Sequence, residues 1–265
     1  MTEPEPGTAL ITGASSGIGA AFARALAARG HDVVLVARDE GRLRQVAAGL
    51  TTGAEVLVAD LSDRAQLARV EARLSDSQRP VDLLVNNAGA GSYGGVQDLD
   101  IELLTAEIEL DVLAVVRLTR AVLPGLLARH RGGVLNVSST ASTGVAPSLA
   151  AYAASKAFID SWSRSLAEGL RGTGITVTCV RPGYTHTAFH HRAGQDVDRV
   201  PGVYWLEPEQ VVREALAALD DRRTMIVPCG GRSRRIRALV RRRATRVLRQ
   251  ARWARRRVRW EVPKG

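Results

Sequence analysis

Short apolar runs alternate with longer amphipathic segments along most of the chain. The seven apolar runs cover residues 8–12, 32–37, 54–59, 81–86, 133–138, 175–180 and 224–228. Because they are apolar at successive rather than alternate positions, each is expected to form a strand that is buried on both faces. Such strands are typical of a parallel sheet covered by helices.

The segments between the apolar runs have the spacing of amphipathic helices. Residues 18–30 end in a glycine that is expected to cap the helix, and residues 101–129 form a longer helical pattern. Seven strands alternating with six helices predict one doubly wound α/β domain over residues 1–230, with helices on both faces of the sheet. Ligands of such sheets bind beyond the carboxyl ends of the strands, so the residues that follow the strands are the candidates for function.

A glycine-rich turn follows the first predicted strand. Residues 12–19 read TGASSGIG, and Gly13, Gly17 and Gly19 stand where the first helix is expected to begin. Glycines at these positions let the backbone approach a pyrophosphate, to which the helix N-terminus offers free N–H donors. Within a strand–helix–strand unit, the pattern predicts a dinucleotide site in a Rossmann-like fold.

Polar groups at the ends of the next three strands add to this site. Strand two is followed by Arg38 and lacks the terminal acid that binds the ribose 2′-hydroxyl of NAD, which favours the 2′-phosphate of NADP over NAD. A solvated loop arginine is the alternative. Asp60 follows strand three, where a carboxylate can receive the adenine amino group. After strand four, residues 86–89 read NNAG; their amides can join strand ends, and their small residues leave room for a flat cofactor.

Candidate acid–base residues follow the fifth strand. Ser139 lies at its end, and the segment YAASK places Tyr152 and Lys156 four residues apart on one helical face. An ammonium group beside a phenol favours the phenolate and is expected to lower the pKa of Tyr152. Lysine occurs only at positions 156 and 264 in a chain with 37 Lys and Arg residues. A compact charge on a flexible stem suits position 156 better than the planar fork of arginine.

Taken together, TGASSGIG, NNAG, Ser139, YAASK and RPGYTHT at residues 181–187 resemble the short-chain dehydrogenase/reductase superfamily in its single-domain form. The resemblance covers residues 7–230 and implies reversible hydride transfer between a nicotinamide and an alcohol or carbonyl group. It makes Tyr152 the general acid/base, Lys156 its electrostatic partner and Ser139 the residue that orients the substrate. The cofactor site that follows comprises Gly13, Ser15, Ser16, Gly17, Ile18, Gly19, Arg38, Asp60, Leu61, Asn87, Ala88, Gly89, Tyr152, Lys156, Pro182, Gly183, Thr185 and Thr187.

Asp111 departs from the family pattern. The family usually carries an asparagine in the long fourth helix, where it supports a water relay to the lysine, and we include Asp111 among the catalytic candidates. An ionised Asp111 accepts hydrogen bonds but donates none. Because its charge opposes the effect of Lys156 on Tyr152, alcohol oxidation is expected to need a more alkaline pH than in an asparagine variant. A silent substitution is the alternative.

Residues 184–206 are expected to form a lid over the substrate. They contain Tyr184, Phe189, Tyr204 and Trp205, four of the chain's Trp, Tyr and Phe residues. Together with Tyr93, Val145 and Pro147, they indicate an apolar pocket for a ketone or alcohol; packing of the lid on the body is the alternative. The lid histidines His186, His190 and His191 have no third ligand fixed by spacing, so no metal site is predicted.

Positive charge is concentrated near the C-terminus. The net charge is +10, yet residues 231–265 alone contain 14 arginines and Lys264 against a single acid, Glu261. Apolar residues recur there every three or four positions, which predicts a basic amphipathic C-terminal helix. An anionic membrane surface is favoured equally with docking against the body of the protein or another subunit of a homo-oligomer, and nucleic acid is less favoured.

Further exclusions come from the cysteines and the apolar content. Cys179 and Cys229 do not have the spacing of a metal site. The sequence shows neither the pattern of a signal peptide nor an apolar run long enough to span a membrane, so a cytoplasmic protein is expected. If the tail binds lipid, the protein is expected at the inner face of the membrane. The sequence therefore predicts an NADP(H)-dependent oxidoreductase that interconverts a carbonyl and a secondary alcohol on an apolar small molecule. The alternative is a catalytically weak NADP-binding sensor whose tail contacts lipid or nucleic acid.

Overall fold

The computed structural model describes residues 6–198 and 200–227. The predicted tail helix at residues 231–265, the domain boundary at residue 230 and Cys229 all lie outside these residues. Within the described part of the chain, no helix has the length and apolar character that crossing a bilayer requires.

Seven parallel strands form one sheet, which confirms the predicted doubly wound α/β architecture. The strands are β1 (Thr8–Thr12), β2 (Asp32–Ala37), β3 (Ala54–Val58), β4 (Leu83–Asn86), β5 (Gly132–Val137), β6 (Ile175–Val180) and β7 (Met225–Ile226). Their spatial order is β3-β2-β1-β4-β5-β6-β7. The order reverses between β1 and β4, so the carboxyl ends of these two strands flank the crevice where ligands bind in such sheets.

The described residues form eight α-helices. They are α1 (Gly17–Ala27), α2 (Glu40–Ala48), α3 (Arg64–Leu74), α4 (Ile101–Ile108), α5 (Ala114–Arg129), α6 (Ala150–Gly169), α7 (Phe189–Arg192) and α8 (Pro208–Asp220). The first helix ends at Ala27 and not at Gly30, which has a φ of 88° in the turn beyond it. The pattern at residues 101–129 is not one regular helix, because a π-helical turn at Glu109–Leu113 joins α4 to α5.

Apolar cores cover both faces of the sheet, because successive residues of a strand point to opposite faces. Ile11 of β1 packs with Phe22 of α1 and Leu216 of α8 on one face. Its neighbour Leu10 packs with Leu118 of α5 on the other face. All five side chains are at most 1% exposed, and each contributes about 1.5–3 kcal/mol through burial. The strand ends are thereby fixed, and the polar residues that follow them are held in place.

Candidate active site

The glycine-rich turn lies at the carboxyl end of β1, beside the reversal of strand order. Gly13 and Gly17 have φ values of 66° and 53°, which side chains rarely tolerate. A Cβ on Gly13 would lie 2.8 Å from Nδ2 of Asn87, and one on Gly17 would lie 2.8 Å from Cγ2 of Thr187. Only glycine therefore fits at these two positions, where the turn packs closely against the NNAG segment and the lid, as in the tight turns that bind phosphate at a helix N-terminus.

The remaining residues of the turn have different surroundings. Ser15 and Ser16 line a cavity of about 420 Å³ that Arg42 of α2 also lines. Ile18 packs against the apolar core, so its side chain supports the turn from below. Of the predicted cofactor residues here, the two serines line open space, whereas Gly19 is buried and packs against the carbonyl of Gly13.

Arg38 and Asp60 lie side by side at the ends of β2 and β3. Nη1 of Arg38 is 3.5 Å from Oδ2 of Asp60, and the arginine side chain is 76% exposed. Oδ1 of Asp60 accepts hydrogen bonds from the backbone N–H and the hydroxyl of Ser62, at 3.0 and 2.7 Å. Burial would raise the pKa of Asp60, but these hydrogen bonds and Arg38 outweigh it and lower the pKa. The guanidinium therefore faces solvent beside an ionised carboxylate, while Leu61 is buried.

Amide side chains join the ends of the central strands. Nδ2 of Asn86 donates to Oδ1 of Asn136 at 2.9 Å, which links β4 to β5. Nδ2 of Asn87 donates to the carbonyl of Thr12 at 2.8 Å, and the backbone N–H of Ala88 donates to the Thr12 hydroxyl at 2.9 Å. These bonds hold the NNAG segment against the glycine turn, as the sequence predicted for its two amides.

Ser139, Tyr152 and Lys156 come together where β5 ends and α6 begins. Nζ of Lys156 lies 5.5 Å from the centre of the Tyr152 ring. The Tyr152 and Lys156 side chains are almost completely buried, at 8% and 5% exposure. The Ser139 hydroxyl accepts a hydrogen bond from the Ala141 N–H at 3.1 Å and lies close enough to the Tyr152 phenol to lower its pKa. The three predicted acid–base residues therefore form one group.

The net shift of the Tyr152 pKa is upward, contrary to the sequence prediction. Burial raises the pKa of Tyr152, and the Lys156 ammonium and the Ser139 hydroxyl only partly oppose this effect. The carboxyl groups of Asp111 and Glu107 raise it further. The sequence prediction considered the lysine but not the desolvation of the phenol, which is the larger effect here.

Asp111 lies on the π-helical turn directly against Lys156. Its Oδ2 is 3.0 Å from Nζ of Lys156, and the two side chains are 0% and 6% exposed. Its Oδ1 accepts a hydrogen bond from the Ala90 N–H at 2.8 Å. A Cβ on Gly89 would lie 3.0 Å from Nζ of Lys156, so the glycine leaves room for the pair. Asp111 thus belongs to the same buried group as the predicted acid–base residues.

The ion pair fixes the charge of Lys156. Burial alone would lower the pKa of Lys156, but Asp111 and Tyr152 reverse that effect and raise it. Burial also raises the pKa of Asp111, against the opposing effects of Lys156 and the Ala90 N–H. The ammonium form of Lys156 is therefore favoured, and its attraction to Asp111 is stronger than its attraction to Tyr152.

Glu107 is a further member of the group that the sequence analysis did not identify. It lies on α4, four residues before Asp111, and is 2% exposed. It contributes to the raised pKa of Tyr152, which places its carboxyl group within electrostatic reach of the phenol. The sequence could have indicated Glu107, because the helical pattern of residues 101–129 places this acid on the face directed at the core.

The segment after β6 passes over the glycine turn and Tyr152. Pro182 is buried, and its carbonyl accepts a hydrogen bond from the Thr140 N–H at 2.9 Å. The Thr185 hydroxyl donates to the carbonyl of Gly183 at 3.0 Å. Thr187 approaches Gly17, and Phe189 places its ring centre 5.2 Å from that of Tyr152. The predicted lid residues therefore lie beside the predicted cofactor and acid–base residues.

The lid histidines and Cys179 have ordinary structural partners. The His186 ring stacks on Trp205 with centres 4.6 Å apart, and Nδ1 of His190 is 2.8 Å from Oε1 of Gln195. Burial raises the pKa of the Cys179 thiol to about 12, which keeps it protonated at neutral pH. Within residues 6–198 and 200–227, no three His, Cys, Asp or Glu side chains form a group that could hold a metal ion.

Comparison with known proteins gives consistent matches. A family model described as short chain dehydrogenase matches residues 7–198. The very-long-chain 3-oxoacyl-CoA reductase of Anas platyrhynchos is 38% identical over 221 residues, which are 80% of this chain and 68% of that protein.

Two solved structures match nearly the whole chain. The short-chain dehydrogenase from Sphingobium yanoikuyae in complex with NADPH is 35% identical, with a TM-score of 0.80 over 97% of this chain and 98% of that one. The bulky-bulky ketone specific alcohol dehydrogenase from Comamonas testosteroni is 29% identical, with a TM-score of 0.77 over 98% of each chain. With its sheet order, its glycine turn and the family match over most of its length, this chain belongs to the short-chain dehydrogenase family.

Proposed function

We propose that this protein is an NADP(H)-dependent oxidoreductase that interconverts a carbonyl group and a secondary alcohol, with Tyr152 as the general acid/base. The observation that carries the proposal is the buried pair of Tyr152 and Lys156, with the Ser139 hydroxyl close enough to the phenol to influence its pKa. Relatives whose names include a 3-oxoacyl-CoA reductase and a ketone-specific alcohol dehydrogenase support this reaction class.

In carbonyl reduction, Tyr152 donates its phenolic proton to the substrate oxygen, and in alcohol oxidation the tyrosinate takes the proton back. The Ser139 hydroxyl, beside the phenol, orients the same oxygen. Lys156 stabilises the tyrosinate through its charge. When bound, the nicotinamide supplies or accepts the hydride.

The described residues fit an NADP(H) cofactor. Gly13 and Gly17 have positive φ and pack so closely against Asn87 and Thr187 that no Cβ fits, which is the tight glycine turn that a pyrophosphate site uses. Arg38 is exposed at the end of β2, the position that in this fold meets the 2′-phosphate by which NADP differs from NAD. Its neighbour Asp60 is a carboxylate that can accept a hydrogen bond from the adenine amino group. The NADPH complex of the Sphingobium relative supports this choice.

Replacing Arg38 by glutamine is expected to weaken NADPH binding about tenfold or more, because a charged hydrogen-bond partner of the 2′-phosphate is lost. NADH binding should change little, since NADH has no 2′-phosphate. Fluorescence titration with both cofactors measures the two dissociation constants. Arg44→Gln is the matched control, because Arg44 lies on α2 and is paired with Glu40 at 2.6 Å. Equal losses for NADPH and NADH would contradict the assignment of Arg38.

The proposed substrate is a ketone, or the corresponding alcohol, flanked by apolar groups. The Tyr93 N–H donates to the carbonyl of Ala193 at 3.0 Å, and the Gly94 N–H donates to the carbonyl of Ser148 at 2.9 Å. The segments that follow β4 and β5 therefore lie next to each other and next to the lid, at the entrance of the proposed substrate site. Tyr93 and Val145 are 46% and 77% exposed there, so apolar surface is available to a substrate.

A panel of ketones and alcohols, assayed with NADPH/NADP and NADH/NAD, tests the proposed function. We expect NADPH oxidation with bulky apolar ketones and much lower rates with small charged ones. NADPH binding without turnover across the panel would favour the sensor alternative instead.

A further inference from the structure

Glu107 is a buried acid that the proposed reaction does not use. Within the described part of the chain, Glu107 is 2% exposed, and Ser92 is the residue that offers hydrogen bonds to its carboxyl group, without the geometry of a full bond. A carboxyl group in such a position is costly to bury in its charged form. Because buried polar groups in proteins are nearly always well hydrogen-bonded, an acid with such weak partners calls for a functional explanation.

The surroundings of Glu107 come from three elements. Ser92, on the segment after β4, presents its hydroxyl and N–H to the carboxyl group. Asp111 lies four residues further along, on the π-helical turn, and Lys156 and Tyr152 lie on α6, which packs against α4. Asp111, Lys156 and Tyr152 are the titratable groups whose charges act on Glu107 or respond to its charge.

The charges of this group do not balance if both acids are ionised. Lys156 is the one cation, and its ammonium lies 3.0 Å from Asp111. Burial raises the pKa of Glu107; hydrogen bonding from Ser92 opposes this, and the negative charge of Asp111 adds to it. Lys156 also attracts Glu107, but less than these effects together, because its ion pair is with Asp111. Glu107 therefore keeps its proton to a higher pH than an exposed glutamate does.

We propose that Glu107 is a positioning residue that controls Tyr152 through its own protonation. While Glu107 is neutral, the buried group contains one balanced pair, Asp111 and Lys156, and Tyr152 can lose its proton. Once Glu107 is ionised, a second buried negative charge holds the proton on Tyr152. The inference rests on the proposed role of Tyr152. It implies that ionised Glu107 slows the increase of the alcohol-oxidation rate with pH, because oxidation needs the tyrosinate. Carbonyl reduction needs the phenol, so its rate is not lowered by ionised Glu107.

Glu107→Gln tests this inference, because glutamine has the shape of the neutral acid and cannot ionise. With NADP and an alcohol, the variant and the native protein should oxidise at the same rate at low pH. The rates should diverge as pH rises, and the variant should become about tenfold faster if one charge shifts the Tyr152 pKa by about one unit. Glu102→Gln, at an exposed position on the same helix, should match the native protein. Parallel pH profiles for Glu107→Gln and the native protein would overturn the inference.

Ser92→Ala provides a second variant with a predicted direction. Hydrogen bonding from Ser92 favours the ionised form of Glu107, so its loss should let Glu107 keep its proton to higher pH. Alcohol oxidation in Ser92→Ala should therefore keep rising with pH, without the restraint from ionised Glu107, to a higher pH than in the native protein. A restraint that begins at the same or lower pH would count against the inference, and this variant serves if Glu107→Gln does not fold.

A direct titration of Tyr152 separates this inference from the proposed function. The ultraviolet absorbance of tyrosinate, measured against pH and corrected with a Tyr152→Phe variant, reports ionisation of Tyr152 without turnover. We expect Tyr152 to ionise at lower pH in Glu107→Gln than in the native protein. If the titration shifts but no alcohol is oxidised, the control of Tyr152 stands and the proposed function fails. If the two titrations coincide, Glu107 does not control Tyr152.

Discussion

Tyr152→Phe is expected to lower turnover in both directions by at least about a hundredfold, the contribution of a positioned general acid/base. Phenylalanine keeps the aromatic ring that packs against Phe189, 5.2 Å away, and that lies beneath the Lys156 ammonium. Only the hydroxyl that exchanges the proton is lost. NADPH binding should therefore persist, and the expected change is in kcat with little change in the affinity for the cofactor.

Steady-state rates with NADPH and a ketone, together with fluorescence titration of NADPH, measure the two quantities. Tyr184→Phe is the matched control: its ring packs against Trp205 in the lid with centres 5.5 Å apart, and only its hydroxyl is removed. A Tyr152→Phe variant with near-native turnover would show that another group moves the proton. A variant that has lost both turnover and NADPH binding would point to structural damage.

The fold was predictable because it depends on local apolar patterns. The strands β1, β2 and β6 begin and end where continuous apolar residues predicted, since a strand covered on both faces has no polar face to obscure its limits. The residues that follow these strands were then placed by topology alone, because parallel strands bring their carboxyl ends to one edge. The glycine turn, the NNAG amides and Ser139 were located in this way, whereas Tyr152 and Lys156 were placed together by their spacing of four residues on one helix.

The electrostatics of the site were not predictable from the same patterns. A helical pattern at residues 101–129 gives no sign of the π-helical turn at Glu109–Leu113, because both forms present similar residues to the core. That turn carries Asp111, and α4 before it carries Glu107. Their burial depends on the segment containing Ala90 and Ser92, whose packing is a tertiary property. The upward shift of the Tyr152 pKa follows from this burial and not from sequence spacing.

Arg38 and Asp60 illustrate a similar limit at the cofactor end. The sequence assigned each residue separately to a part of NADP. In the structure they form an ion pair at 3.5 Å, because β2 and β3 are neighbours in the sheet. The pair is consistent with both assignments, since Asp60 holds the exposed guanidinium near the end of β2. The spacing between two strands along the chain does not reveal which of their terminal side chains meet.

Lys156→Met is expected to destabilise the protein by about 3–5 kcal/mol at neutral pH, which is the usual effect of removing one partner of a buried ion pair. Asp111 is 0% exposed, so it would lose the Lys156 ammonium, its one cation among the described residues, and keep the hydrogen bond from the Ala90 N–H. Methionine fills a similar volume without charge, so packing should be largely retained. Chemical denaturation, with the free energy of unfolding extrapolated to water, measures the loss.

The pH dependence of that loss distinguishes charge from packing. Without Lys156, burial raises the pKa of Asp111 further above its unfolded value, so the folded state binds the proton more tightly than the unfolded state. Stability is then fully retained below the unfolded pKa of aspartate and is lost as pH rises through the folded pKa. The difference between variant and native protein should therefore be small in acid and grow toward neutral pH. Adding Asp111→Asn to Lys156→Met removes the buried charge while leaving an oxygen for the Ala90 N–H, and it should recover most of the lost stability. A loss that is constant with pH and persists in the double variant would mean that Lys156 stabilises the fold by packing alone, and that its charge is not balanced by Asp111.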